Sequence, residues 1–253
     1  MPPGRGPVPR IVVTLLDVAR SPEPEIAARK NALCVDAVVR HGAAALPLDG
    51  SSPEADRAAA FATMDGLLLT GGPDMDPALF GADPAGAEGI DAARDVLDRA
   101  AYGTAVRRGL PMLGICRGLQ VMNALGGGRL LQHVDGHVGA GYGHGPALTH
   151  PLRVVPGTRM ARILFPANVG GGVLTVNSYH HQAVRKADLA PGFVAAGLSP
   201  SPAGDLVEAL EATSGPFRMA VQCHPERTES TPRQFERLLA FFVDACRGPV
   251  SSR

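Results

Sequence analysis

The stretch "PMLGICRGLQVMNAL", residues 111–125, decides how this 253-residue chain is read. Its first six residues, 111–116, form an apolar run of strand type, and residues 117–125 then take helical spacing until Gly126-Gly127-Gly128 stops them. Cys116 stands at the junction, inside G-x-C-x-G. Small residues on either side permit a tight strand-to-helix turn that projects the middle side chain outward, the cysteine counterpart of the G-x-S-x-G elbow. At that position the helix N-terminus favours a thiolate, and the free N–H groups of the first turn can receive an oxyanion. An ordinary buried cysteine of a parallel strand would give the same letters, so the pattern alone leaves both readings open.

Upstream of the junction, strands and helices alternate. Residues 11–17 (IVVTLLD), 43–49 and 64–72 are short apolar runs, and helical patterns cover 25–41, about 53–62, and 91–109. The last begins acidic, ends in arginines and stops at Gly109, as the helix dipole and C-cap prefer. Such alternation predicts an α/β fold, a doubly wound and mostly parallel sheet flanked by helices. After about residue 130 the pattern becomes β-rich: "LRVVPG", "GVLTVNSYH", "GFVAAGLSP", "LVEALEA" and "FRMAVQCHPE" are separated by Gly/Pro turns before a final helix near 232–246. The reading is one domain over residues 8–247 with flexible termini at 1–7 and 248–253, and the Gly-rich segment 136–145 is the expected mobile loop.

Composition narrows the function classes. Twenty-four Lys and Arg balance 24 Asp and Glu, so no global field favours nucleic acid or an anionic membrane. No apolar run reaches bilayer length. The leader "MPPGRGPVPRIVVTLLD" has too short an apolar core for a signal peptide, which points to a cytoplasmic protein. The four cysteines, Cys34, Cys116, Cys223 and Cys246, form no C-x-x-C pair and are too sparse for a disulfide framework.

Two further stretches bear on Cys116. In "VQCHPER" (221–227) an apolar strand ends in His224-Pro225-Glu226. Residues two apart on an extended chain leave the same side, so Glu226 can orient His224 while His224 takes a thiol proton. In "GLLLTGGPDMDPALFG" (66–81), Gly71 and Gly72 end an apolar strand, where a backbone N–H can approach a substrate closely. Taken singly, the first could be a capping histidine beside a solvated glutamate, and the second a plain turn.

In order and spacing, these three stretches resemble class I glutamine amidotransferase domains. "GGPDMDPALFG", "RD" at 94–95, "ICRGLQVMNALGGGRLLQ", "VNSYHHQAV" and "QCHPE" resemble in particular the γ-glutamyl-γ-aminobutyrate hydrolase family, over about residues 8–246. The resemblance implies a free-standing enzyme that hydrolyses a γ-glutamyl amide through a cysteine thioester, releasing glutamate and an amine. Cys116 would be the nucleophile, His224 the general base and acid, and Glu226 the residue that orients His224. The backbone N–H groups of Gly72 and Arg117 would form the oxyanion hole. Gln120, Ser178, Tyr179 and His180 would contact the substrate. These steps call for no metal and no organic cofactor. The expected partner is a small γ-glutamyl molecule, with no nucleic acid and no membrane, and self-association is left open. The sequence departs from the family at Cys223, where a large side chain is usual, and the expectation is a reshaped pocket wall.

Two other functions fit the same residues. One is a glutaminase subunit that passes ammonia to a separate synthetase. The other is a non-catalytic binding protein on this fold, against which the complete Cys/His/Glu set counts. The sequence does not specify the amine half of the substrate. His133, His137, His144 and His150, with Asp135, crowd one stretch and could suggest a metal site, but it is too Gly-rich for a rigid helix and no Glu or Cys completes a recognisable ligand set, so no metal is expected. Cys34 and Cys246 read as core residues, and helix 91–109 as a solvated face whose Arg94-Asp95 pins the loop after Gly72.

Overall fold

Nearly every residue of the first strands is apolar because both faces of the sheet are covered. A computed structural model of the protein describes residues 7–138, 141–168, 170–202 and 204–248. The chain runs β1 (Arg10–Thr14), α1 (Pro24–Val39), β2 (Ala44–Leu48), α2 (Glu54–Thr63), β3 (Gly66–Leu69), α3 (Ala92–Arg107), β4 (Met112–Ile115) and α4 (Arg117–Leu125). It continues through β5 (Leu148–Val154), α5 (Arg159–Leu164), β6 (Gly172–Ser178), β7 (Val184–Arg185), β8 (Phe193–Ser199), β9 (Leu206–Ala212), β10 (Arg218–Val221) and α6 (Phe235–Cys246).

One sheet joins the strands in the order β2-β1-β3-β4-β10-β9-β8-β5-β6, with β7 also pairing to β9. The pairs from β2 to β10 are parallel. All those beyond β10 are antiparallel. The doubly wound half and the β-rich half are therefore one mixed sheet. β10, last in sequence, inserts beside β4 at its centre.

Strand alternation divides the core. Ile11, Val13, Leu68, Leu113 and Ile115 pack with α1, α5 and α6. Val12, Leu67, Leu69 and Met112 face the other way, onto α3 and α4. Among the described residues no helix is long and apolar enough to cross a membrane.

Two features were not read from the sequence. α5 has only six residues, too few for a periodicity. Thr158 caps it, and the Glu211 carboxylate accepts from Arg159 N at 2.9 Å and Met160 N at 2.8 Å. The other is the burial of β9, a strand that was expected but is covered at every residue, including its two glutamates.

Candidate active site

The three stretches picked out in the sequence meet because β3, β4 and β10 are adjacent and parallel. Leu69 pairs with Gly114, and Ile115 with Val221, so all three strands end at one edge. Gly71-Gly72, Cys116 and His224 follow those ends, the position where open α/β sheets hold ligands.

Cys116 is the N-cap of α4, with φ 52° and ψ −106°. It is the only non-glycine with positive φ among the described residues, a strain of about 1–3 kcal/mol that surrounding packing must offset. The packing comes from its flanking glycines. A Cβ on Gly118 would run into the Leu69 carbonyl, and one on Gly114 would lie 2.7 Å from the Gly118 backbone. Cys116 N donates to Val221 O at 2.8 Å, tying the elbow to β10. Gln222 Nε2 approaches Cys116 Sγ at 3.5 Å.

His224 is buried, and its Nδ1 lies 2.7 Å from Glu226 Oε1. Burial disfavours the charged ring, but Glu226 and then Cys116 outweigh it and raise His224 to about 9. Glu226 moves the opposite way: burial works against its charge, yet His224 and Arg227 hold its carboxyl below the usual range. The imidazole edge sits where a side chain on Gly71 would be, 2.8 Å from the ideal Cβ position. Asn177, which the sequence reading did not single out, fixes the backbone of His224. Its Oδ1 accepts from His224 N at 2.8 Å, and its Nδ2 donates to His224 O at 3.3 Å, where Thr231 also donates at 2.7 Å.

The amides of Gly72 and Arg117 make no backbone hydrogen bond among the described residues. Both are held by a buried ionic cluster. Arg94 donates from Nη2 to Thr14 O at 3.1 Å and Thr70 O at 3.3 Å, and from Nη1 to Gly71 O at 3.4 Å. Its Nε pairs with Asp98, which also binds Arg117. Asp95 pairs with Arg117 at 2.5 Å and accepts from Asp76 N at 3.0 Å. Arg94 and Asp95 thus pin the loop on both sides of Gly72, as expected. The early part of α3 is buried there, where a solvated face was expected, because Arg117 brings the countercharge its acids need.

Cys116, Glu226, Tyr179, Tyr142, Lys30 and Arg227 line a cavity of about 550 Å³. Arg227, unforeseen in the sequence, stacks its guanidinium 4.1 Å from the Tyr179 ring centre and 4.3 Å from that of Tyr142. It is buried, with Nε 3.7 Å from Glu226 Oε1 and no hydrogen bond to Nε or Nη1 among the described residues. Only Tyr179 of the four expected substrate contacts lies on this wall. Gln120 turns inward, donating to Gln182 O at 3.2 Å. Ser178 and His180 point to the opposite side from Tyr179, as alternation at the end of β6 requires. Ser178 Oγ donates to His137 O at 2.6 Å, and His180 Nδ1 to Gln182 O at 2.9 Å. Cys223 is also absent from the wall. It sits in the apolar core, where burial raises its thiol well above the usual range, so it does not reshape the pocket. Cys34 is buried but also has an edge on the cavity, and Cys246 is a core residue.

The histidine-rich stretch divides in two. His133 is exposed and faces Asp135, and His144 pairs with Glu23 at the surface. His137 and His150 turn inward to meet His180 and Glu208. Glu208 comes from β9, remote in sequence, and burial alone raises it to about 8.

A parallel sheet centre with an antiparallel extension, and a cysteine elbow facing a His/Glu pair at the strand ends, define a class I glutamine amidotransferase-like α/β protein. The chain belongs to the Peptidase C26 family of cysteine-dependent hydrolases and amidotransferases, which its residues 15–226 match. It is similar to a solved structure of the glutaminase domain of Trypanosoma brucei CTPS with bound acivicin. The two share 19% identity over 94% of each chain at a TM-score of 0.62, a likeness of fold. It is 36% identical over 190 residues to the putative glutamine amidotransferase Rv2859c of Mycobacterium tuberculosis H37Rv, covering 74% of this chain and 57% of that protein. The chain thus spans little more than half the length of that relative. With the γ-glutamyl-γ-aminobutyrate hydrolase PuuD of Escherichia coli K12 it shares 28% identity over 202 residues, 75% of each.

Proposed function

We propose that the protein hydrolyses a γ-glutamyl amide through a thioester on Cys116. The observation that carries this reading is the positive-φ Cys116 beside the buried His224–Glu226 pair, opening into the cavity. In the proposed reaction His224 takes the proton of the Cys116 thiol, and Cys116 Sγ attacks the γ-carbonyl carbon. The oxygen becomes an anion that the N–H groups of Gly72 and Arg117 stabilise. His224 gives its proton to the leaving amine as the C–N bond breaks, which leaves a glutamyl thioester. Water then attacks the thioester and yields its proton to His224, and glutamate departs from Cys116. Glu226 holds the ring and stabilises its charged form throughout.

Substrate selection rests on charge and volume. Lys30 and Arg227 supply positive charge on a wall that a glutamyl carboxylate can meet, and Arg227 Nη1 makes no hydrogen bond among the described residues. A cavity of about 550 Å³ falls within the range of ligand pockets and suits an amine larger than ammonia. The test is glutamate release from a panel of γ-glutamyl amides by the purified chain alone. Activity on larger amides above that on glutamine supports a hydrolase. Inertness on all of them, with glutamine cleaved only after a partner is added, would favour the ammonia-supplying subunit.

A further inference from the structure

Behind Tyr179, on the side away from the cavity, three potential ligands converge, and a fourth, His180, stands beside one of them. One ring nitrogen of His137, one of His150 and one Glu208 oxygen all lie within 4.8 Å of one another. His180 Nε2 faces the other Glu208 oxygen at 3.8 Å, and His150 Nε2 stands 3.6 Å from the first. His137 Nε2, His150 Nε2, His180 Nε2 and both Glu208 carboxylate oxygens have no hydrogen-bond partner among the described residues. Glu208, His137 and His180 are buried at 1%, 5% and 4% exposure.

The surroundings orient each donor. His137 Nδ1 faces Asp135 O at 3.3 Å, His180 Nδ1 faces Gln182 O at 2.9 Å, and His150 Nδ1 lies 3.3 Å from Pro151 O and 3.2 Å from Ser199 Oγ. An Nδ1–H committed to a carbonyl leaves the Nε2 lone pair directed at the cluster, the arrangement that prepares histidine for a metal. Glu208 is directed by the backbone. Val207 and Ala209 pair with consecutive residues, Leu198 and Gly197, so Glu208 is the extra residue of a β-bulge, a device that re-aims a side chain. Separations of 3.6 and 3.8 Å are too long for hydrogen bonds. They are close to the roughly 3.3–3.5 Å between neighbouring ligand atoms around tetrahedral zinc, whose bonds are about 2.0–2.2 Å.

We infer that His137, His150 and Glu208, with His180 as fourth donor, form a binding site for a divalent transition-metal ion of the zinc class. Imidazole nitrogens with one carboxylate suit that class and not calcium or magnesium. The site is structural, since all four donors are protein groups and it does not open on the cavity. It joins β5 and β9 to the connection between α4 and β5, which also carries Tyr142, one of the rings on Arg227. Ser178 Oγ bonded to His137 O, and a β-bridge between Val138 and Tyr179, link the metal site to the cavity wall.

The full-length protein, saturated with zinc and desalted, should retain one zinc per chain by elemental mass spectrometry. Cobalt(II) in its place should give the intense visible bands of a four-coordinate site. Glu208→Gln and His150→Ala should each lose stoichiometric zinc and those bands, whereas His133→Ala, at the surface of the same stretch, should keep both. Added zinc should raise the Tm of the wild type and leave that of Glu208→Gln unmoved. Should both variants fail to fold, the wild-type stoichiometry and cobalt spectrum decide the matter alone. Substoichiometric zinc, an octahedral cobalt spectrum, or zinc retained by folded Glu208→Gln and His150→Ala would overturn the site.

Discussion

Cys116 is held in a conformation that few non-glycine residues adopt, and this fixes the direction of its side chain. Cys116→Ala should fold normally and lose turnover by about 10⁴-fold or more, because members of a triad act as a unit. A thiol-alkylating reagent should label Cys116 before the core thiol Cys246. The His224–Glu226 pair makes a prediction about pH. His224 sits near 9 in the folded protein against an ordinary value of 6.5, with Glu226 the foremost cause raising it. The alkaline limb of kcat/KM should therefore fall near pH 9 in the wild type. In Glu226→Gln it should move to lower pH, because the imidazolium loses its negative neighbour. Stability follows the same sign: the stabilisation from this pair is full between about pH 4.5 and 6.5, is lost as pH rises through about 9, and is lost in acid as Glu226 protonates. A limb unmoved in Glu226→Gln would remove Glu226 from the orienting role. For Arg227→Gln, KM for γ-glutamyl substrates should rise roughly 10- to 100-fold, with less change in kcat, the loss of a charge-assisted contact. An unchanged KM would place the carboxylate elsewhere.

Among the elements, α3 and α4 hold the loop of Gly71-Gly72 and the elbow through four buried charges, two from arginines and two from aspartates. Asp98 loses charge stabilisation to burial, but Arg94 and Arg117 hold its carboxyl below the usual range. Asp98→Asn leaves two buried guanidinium groups short of a countercharge and should cost about 3–5 kcal/mol in urea unfolding. A loss within experimental error would mean that water compensates the arginines. The elbow, the Gly71-Gly72 turn and the His224/Glu226 spacing were legible because each is local: a strand, a turn and a two-residue offset. Asn177, Arg227 and Tyr142 were not, since each acts on residues brought near only by the fold. Gln120, Ser178 and His180 carried the right motif letters, but side-chain direction on an element sends them inward. Glu208 was hidden for the same reason, as nothing in "LVEALEA" tells which histidines a bulge will turn it toward.

At the scale of the molecule, inserting β10 beside β4 creates the site, since it alone puts His224 next to Cys116. The antiparallel extension then supplies the cavity wall through Tyr179 and the loop bearing Tyr142. In the proposed reaction that wall, with Arg227 against its two rings, meets the glutamyl carboxylate, and the parallel centre carries out the cleavage. The most direct measurement is kcat/KM of the purified chain for glutamine and for two or three larger γ-glutamyl amides, in the wild type and in Cys116→Ala, with glutamate release as the readout. The account predicts that the wild type acts alone and faster on a larger amide than on glutamine, while Cys116→Ala is essentially inactive on all. A wild type inert on every amide, or a Cys116→Ala variant that still releases glutamate at a near-normal rate, would contradict it.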